Sequence, residues 1–231
     1  MLRVMAAVVP AIHVEGDRLS LPPSALDHPG FRAWVKSPAF PEDVRASWVR
    51  GEVFLERSPE SAESHNKVKL ALTTDLAQLV RSEECGEVFC DGMLLTHAGA
   101  ALSTEPDLIL ATWEAFDSGR LRLVEKSDRQ GEFVELEGTP DLVVEIVRDS
   151  SQRKDLIALR EAYFRAGIPE YWIIDARCDA LRFEILGRSA EGYLARSVAS
   201  GDPASAVLGR AFRLTRQRNR AGRWDYRLIA A

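Results

Sequence analysis

The segment Thr139-Pro140-Asp141-Leu142-Val143-Val144-Glu145-Ile146-Val147 constrains this chain most. Its β-branched and aliphatic run reads as a buried strand, yet it carries Glu145. Alternate side chains of a strand share a face, so Asp141, Val143, Glu145 and Val147 point one way and Leu142, Val144 and Ile146 the other. An ionised carboxylate on a buried sheet face costs several kcal/mol unless a cation or dense hydrogen bonding compensates it. Upstream, Glu105-Pro106-Asp107-Leu108-Ile109-Leu110 repeats the design, with a carboxylate at the head of an apolar strand. Two such acids, Asp107 and Glu145, brought together by strand pairing make a cradle for a hard divalent cation.

The rest of the chain supplies a scaffold for that pair. Residues 1 to about 30 read as an extended arm punctuated by Pro22, Pro23, Pro29 and Gly30, and 31–231 as one domain. A short helix begins at Phe31 to Trp34, and Glu52 to Glu56 alternates as a strand with Val53 and Leu55 on one face. Val68, Leu72, Leu76, Leu79 and Val80 recur at helical spacing from about His65 to Arg81, with Ser64 as its N-cap. Strands are expected at 88–90, 93–96, 107–111 and 141–147. The polar stretch from Trp113 to Glu132 reads as a loop or helix fragment. Asp149-Ser150-Ser151 offers caps for a helix from about Lys154 to Ala166, closed by Gly167 at C′. Tyr171 to Asp175 is a strongly apolar strand, so 141–175 forms a strand–helix–strand crossover. Short strands at 181–186, 193–198, 212–215 and 224–229 suggest an antiparallel extension.

Composition excludes several classes. With 231 residues, 46% hydrophobic and 28% charged, the chain has the make-up of one globular α/β domain. A net charge of -5 gives no global basic field to draw it to nucleic acid or anionic membrane. No stretch approaches the roughly twenty apolar residues of a membrane span. The opening Met1 to Ile12 is broken by Pro10 and lacks a cleavage site. Cys85, Cys90 and Cys178 are too few and unevenly spaced for a zinc cluster or a disulfide framework, which places the chain in a reducing cytoplasm. His13, His28 and His97 are unclustered.

Read together, several phrases resemble the Uma-two restriction-endonuclease-like family of the PD-(D/E)XK nuclease superfamily. They are Thr139 to Val147, Asp149-Ser150-Ser151, Asp155 with Tyr163, and Ala166-Gly167-Ile168-Pro169-Glu170-Tyr171-Trp172. Weaker matches are Arg50-Gly51-Glu52, Ser58-Pro59, His65-Asn66 and Glu105-Pro106-Asp107. The resemblance covers about Trp34 to Leu214. It implies a restriction-endonuclease-like mixed β-sheet core flanked by helices, with antiparallel strands added at both ends. It also implies hydrolysis of DNA phosphodiesters with Mg²⁺ or Mn²⁺, carried by a cytoplasmic homodimer. Asp107 matches the family's PD aspartate and Glu145 its second acid, the two metal ligands. Glu52 matches an auxiliary acid, with a solvated strand face as its plain alternative.

One departure stands out. The superfamily's lysine two residues after the glutamate is Val147 here, and the lysine that family members supply four residues after the Asp155 position is Leu159. Lys154 is the candidate stand-in cation, and Arg160, with its fixed charge, a phosphate clamp. His65 is either a cap-region residue or a phosphate contact. Asp155 is explained by the helix dipole, and Tyr163 by core packing. Two other functions stay open: a catalytically weak nuclease-fold member acting as a binding or regulatory module, and a carboxylate-pair glycosidase. The glycosidase would need aromatic sugar platforms, and none flank Glu145.

Overall fold

The computed structural model describes residues 12–14, 17–19, 21–41, 44–57, 60–126, 129–149 and 151–230. Met1 to Ala11, Ser58-Pro59 and Ser150 lie outside them. The Leu142–Ile146 strand occupies the middle of a six-stranded central sheet. Its order is Tyr193–Ala195, Arg182–Arg188, Glu170–Asp175, Leu142–Ile146, Leu108–Thr112 and Gly86–Cys90. Leu142–Ile146 runs parallel to Glu170–Asp175 and antiparallel to Leu108–Thr112. A parallel neighbour demands a crossover connection, and the chain makes it through a π-type turn at Lys154–Ala158 and a helix at Leu159–Arg165. Gly167 closes that helix with φ +77°, the left-handed C′ conformation expected of it.

The described residues form four α-helices: α1 (His28–Val35), α2 (Lys67–Glu83), α3 (Trp113–Asp117) and α4 (Leu159–Arg165). A second six-stranded sheet orders Glu52–Arg57, Val44–Val49, Leu102–Thr104, Leu94–His97, Arg129–Gly138 and Leu121–Lys126. A three-stranded antiparallel unit (Ala204–Ser205, Arg210–Arg218, Trp224–Ala230) and an Ile12–Val14/Asp17–Leu19 hairpin complete the architecture. These are the added antiparallel strands anticipated at the two ends.

The period-2 pattern of Leu142–Ile146 explains the layering. Leu142, Val144 and Ile146 pack with Val68, Leu72, Leu76 and Val80 of α2 and with Phe212, Leu214, Tyr226 and Leu228 of the terminal strands. Val143 and Val147 face the other way, onto α4 through Leu159, Ala162 and Tyr163, and onto second-sheet residues such as Leu95, Leu102 and Leu136. Glu145 shares that second face. A third cluster joins Phe31 and Trp34 of α1 to Ala46 and Trp48.

Three local expectations need correction. The 113–132 stretch opens on α3 (Trp113–Asp117), the helix fragment expected there, but continues as β: Leu121–Lys126 pairs antiparallel with Arg129–Gly138, with register shifts around Phe133. Further along the same strand, Glu135 is fully buried yet compensated, by Arg32 Nε at 2.5 Å and Lys36 Nζ at 2.7 Å. The cap ahead of α2 is Ser61, whose side chain accepts from Ser64 N, and a π-type turn at Ala62–Asn66 precedes the helix. Helix α1 starts at His28, because Asp27 caps it through Gly30 N and Pro29 fits the first turn.

Gly138 ends its strand with φ +123°, and a Cβ there would lie 2.1 Å from Arg120 O. Backbone strain and overlap act together at this position. Gly138→Ala should destabilise the fold by about 2 kcal/mol or more. A thermal melt matching wild type would contradict this packing.

Candidate active site

The ladder register brings the two leading acids together. Val144 pairs with Leu108, so one step further the antiparallel register sets Glu145 opposite Asp107, on the same face. Ile146 N donates to Asp107 Oδ2 at 2.8 Å, which fixes this juxtaposition. Both acids are buried, Asp107 at 2% and Glu145 at 3% exposure. From α4, Tyr163 OH donates to Glu145 Oε1 at 2.5 Å.

Lys154 enters from the turn that leads into α4, and is itself buried. Its Nζ lies 2.6 Å from Glu56 Oε1 and 3.8 Å from Asp155 Oδ1. Asp155 accepts from Ser151 Oγ and is buried alongside. Arg148 Nη2, just past the Glu145 strand, reaches Glu56 Oε2 at 3.3 Å. Glu56 belongs to the second sheet, two residues past Phe54, which packs into the core between the sheets. The site therefore sits where the sheets meet.

A second group of charges adjoins the first. His65, almost fully buried, places Nε2 3.2 Å from Asp107 Oδ2 and Nδ1 3.0 Å from Glu60 Oε2. Both nitrogens can donate to these carboxylates only in the imidazolium form. Lys69 Nζ lies 3.1 Å from Asp107 Oδ1 and 3.1 Å from Glu60 Oε1. Arg45 Nη1 lies 3.2 Å from Glu60 Oε1.

These contacts divide the site electrostatically. Burial would raise the Asp107 pKa, but the His65 hydrogen bond and charge, Lys69 and the Ile146 N–H outweigh it and hold it far below the usual carboxylate range. Glu145 is pushed well above that range, by burial first and then by the neighbouring Asp155 and Asp107 charges. Burial likewise leads in raising Asp155 to about 6, against the opposing pull of Lys154 and Ser151. Burial would lower Lys154, yet Glu145, Glu56 and Asp155 reverse the shift and keep it protonated. One half, Asp107 and Glu60, is thus neutralised by Lys69, Arg45 and His65. The other, Glu145, Asp155 and Glu56, has among the described residues only Lys154 and Arg148 and stays short of positive charge.

That deficit fits a hard divalent cation. Asp107 Oδ1, Glu56 Oε2 and Asp155 Oδ1 are buried and accept no well-formed hydrogen bond. Lys69 and Arg148 lie 3.1 and 3.3 Å from the first two, whereas Asp155 Oδ1 has Lys154 no nearer than 3.8 Å, and a buried oxygen so poorly served is costly unless a cation reaches it. An all-oxygen set of this kind suits Mg²⁺ or Mn²⁺. Glu60, His65 and Asp107 also bring one donor atom each within 4.8 Å of one another. We favour the Glu145 side, because Lys69 and Arg45 already neutralise the Glu60 side and both His65 nitrogens are engaged.

The structure brings Asp107, Glu145, Lys154 and His65 together. Glu52, by contrast, is exposed at the hairpin turn, 3.5 Å from Arg153. Glu56, two steps of the alternation further along the same face, is the acid of that strand that enters the site. Arg160 Nη2 donates to Tyr193 O at 2.7 Å, tying α4 to the Tyr193–Ala195 strand instead of the acids. Leu159 is fully buried in the apolar core. Tyr163 is core, as expected, but its hydroxyl also holds Glu145. Sequence reading missed Glu56, Glu60, Arg45, Lys69 and Arg148. Lys69 had a signal: it stands in the stripe His65, Lys69, Leu72, Leu76, where an apolar residue would otherwise lie.

A mixed sheet buries two acids and a lysine at one point, and the comparisons give the chain a family. Residues 30–217 match Uma2, described as "Putative restriction endonuclease", and the chain belongs to this family. Among solved structures it is similar to a "putative nuclease belonging to DUF820" from Anabaena variabilis. That likeness has 14% identity over 65% of this chain and 86% of the other, with a TM-score of 0.43. No curated protein matches the sequence.

The electrostatic division predicts opposite outcomes for two amide substitutions. Asp107→Asn strips the partner from buried Lys69 and His65 and should cost about 3–5 kcal/mol, a large fall in melting temperature. Glu145→Gln keeps an acceptor for Tyr163 and removes a poorly compensated charge, so in EDTA its melting temperature should hold or rise. Equal falls in both would refute the division.

Proposed function

We propose that this protein is a metal-dependent endonuclease that hydrolyses phosphodiester bonds of DNA. Asp107, Glu145 and Asp155 would hold Mg²⁺ or Mn²⁺, with Glu56 as the auxiliary acid at the position first sought at Glu52. The observation that carries this reading is the convergence of four buried or nearly buried carboxylates, Asp107, Glu145, Asp155 and Glu56, on one point beside the buried Lys154. Family membership supports it independently. A bound divalent cation would polarise the scissile phosphate and lower the pKa of an attacking water.

The chain's own groups do the rest. The Ile146 N–H and His65 hold Asp107 in one orientation, and Tyr163 holds Glu145. Such fixed ligand geometry spares reorganisation at the moment of reaction. Lys154, kept protonated by its carboxylate neighbours, serves as a positive charge against the charge building on the phosphoryl oxygens, not as a base. Its burial in the site supports the catalytic reading over that of an inert binding module. His65 then acts by positioning Asp107, and the phosphate contact earlier considered for it passes to exposed cations.

Free Cys85, Cys90 and Cys178 accord with a cytoplasmic setting, and no helix among the described residues is long and apolar enough to cross a membrane. A homodimer would match the two-fold symmetry of duplex DNA, as paired DNA-binding modules do.

The test is cleavage of supercoiled plasmid by the purified protein. Nicking should require Mg²⁺ or Mn²⁺ and disappear in Glu145→Gln. Lys154→Met should lose at least about tenfold in rate, while its Mn²⁺ affinity holds or rises, lysine being no ligand. Arg160→Ala should cleave like wild type. A wild type inert with both metals on duplex and single-stranded DNA would overturn the proposal.

A further inference from the structure

The C-terminal hairpin concentrates positive charge in an acidic protein. Between Arg210 and Ala230 stand seven arginines (210, 213, 216, 218, 220, 223 and 227) and one acid, Asp225. That is a formal +6 in a chain of net -5, so the remaining residues carry -11. An ordinary solvated face mixes signs; this one does not. The family match stops at residue 217, so the hairpin turn and its return strand lie beyond what the family accounts for.

The fold does not consume this charge. Arg210 pairs with Glu83, and Arg213 with Asp202 at 2.8 Å. Among the described residues, Arg216, Arg218, Arg220, Arg223 and Arg227 have no carboxylate within ion-pair reach. Arg216 and Arg218 instead set their guanidiniums 4.2 and 3.6 Å from the Trp224 ring centroid, which holds them in place before any partner arrives. Arg218, Arg220, Arg223 and Arg227 are exposed.

Contacts tie the hairpin to two segments that neighbour the carboxylate site in sequence. Trp224 N donates to Glu63 Oε2 at 2.8 Å, and Lys67 Nζ donates to Trp224 O at 2.7 Å. Glu63 and Lys67 bracket His65, which holds Asp107. On the other side, Arg216 Nη2 donates to Cys178 O at 3.1 Å. The neighbouring Arg177 reaches Asp149 Oδ1 at 2.7 Å, in the loop that follows the Glu145 strand. A groove of about 780 Å³ between α2 and the hairpin has a mixed lining, with Lys67, Arg216 and Arg227 beside Asp75 and Asp225; the exposed Arg218, Arg220 and Arg223 lie outside it.

We propose that this hairpin is a docking surface for the phosphate backbone of duplex DNA, placed to hold the strand that the carboxylate site acts on. The choice of DNA rests on the endonuclease reading; the surface itself rests on the uncompensated guanidiniums. Each phosphate neutralised should contribute about 0.9 to the slope of log affinity against log salt.

Fluorescence anisotropy of a labelled DNA duplex with the full chain in EDTA reads binding without cleavage. Arg220→Glu with Arg223→Glu changes two residues that have no internal carboxylate partner, and an unchanged melting temperature confirms the fold. The double variant should bind about tenfold or more weakly and lose about 2 from the salt slope. Arg213→Ala, which removes a carboxylate-paired arginine, should change far less. Wild-type affinity and slope in the double variant would overturn the proposal, as would failure of wild type to bind duplex DNA, or binding only to single-stranded RNA. Salt-sensitive duplex binding through these arginines, with no cleavage under any metal, would uphold the surface and sink the nuclease reading alone.

Discussion

The hydrogen bond from the Ile146 N–H to Asp107 Oδ2 is the interaction on which the rest of the site depends. It uses a backbone donor of one apolar strand to anchor a carboxylate at the head of the next. Because side chains alternate with period 2, the same register that makes this bond sets Glu145 and Asp107 on one face. A slip of one residue would send Glu145 into the α2 side of the sheet, among Leu72, Leu76 and Trp172. The apolar run around Glu145 therefore has two tasks: it drives the sheet core together and forbids the slip.

Anchored this way, the two acids differ despite their shared face. Asp107 has backbone, imidazole and ammonium partners, which hold its pKa far below the usual carboxylate range. Glu145 has a tyrosine hydroxyl and a crowd of like charges. The contrast between a fully compensated acid and a starved one is how a fold keeps carboxylates in readiness for a cation. Lys154 and Arg148 supply part of the missing charge, but two cations do not balance the three carboxylates Glu56, Glu145 and Asp155. Stability and function draw on the same residues in opposite senses.

Much of this was legible in the sequence, for a physical reason. Asp107 and Glu145 stood out because a charge in an apolar strand contradicts the hydrophobic pattern around it. Leu142–Ile146, Glu170–Asp175 and the crossover between them were readable from local periodicity, as was Gly167 from its cap position. Glu56 was not, because Phe54-Leu55-Glu56-Arg57 alternates like an ordinary strand with one wet face, and only packing of one sheet on the other buries it. The Leu121–Lys126 and Arg129–Gly138 strands were hidden for the related reason that Glu135 looks solvent-facing until Arg32 and Lys36 arrive from α1. Val147 and Leu159 suggested a missing lysine. Lys154 was the candidate replacement from its place at the start of the helix, and the structure buries it beside Glu56 and Asp155 in the π-type turn before α4.

The central claim is that the charge-starved side of the site, not the neutralised side, takes the cation. Anomalous diffraction from crystals soaked in Mn²⁺ tests it directly. The account predicts a peak in contact with Asp107 Oδ1 and with the carboxylates of Glu145 and Asp155. A peak coordinated by Glu60 and His65, with Glu145 still bound only to Tyr163, would contradict it.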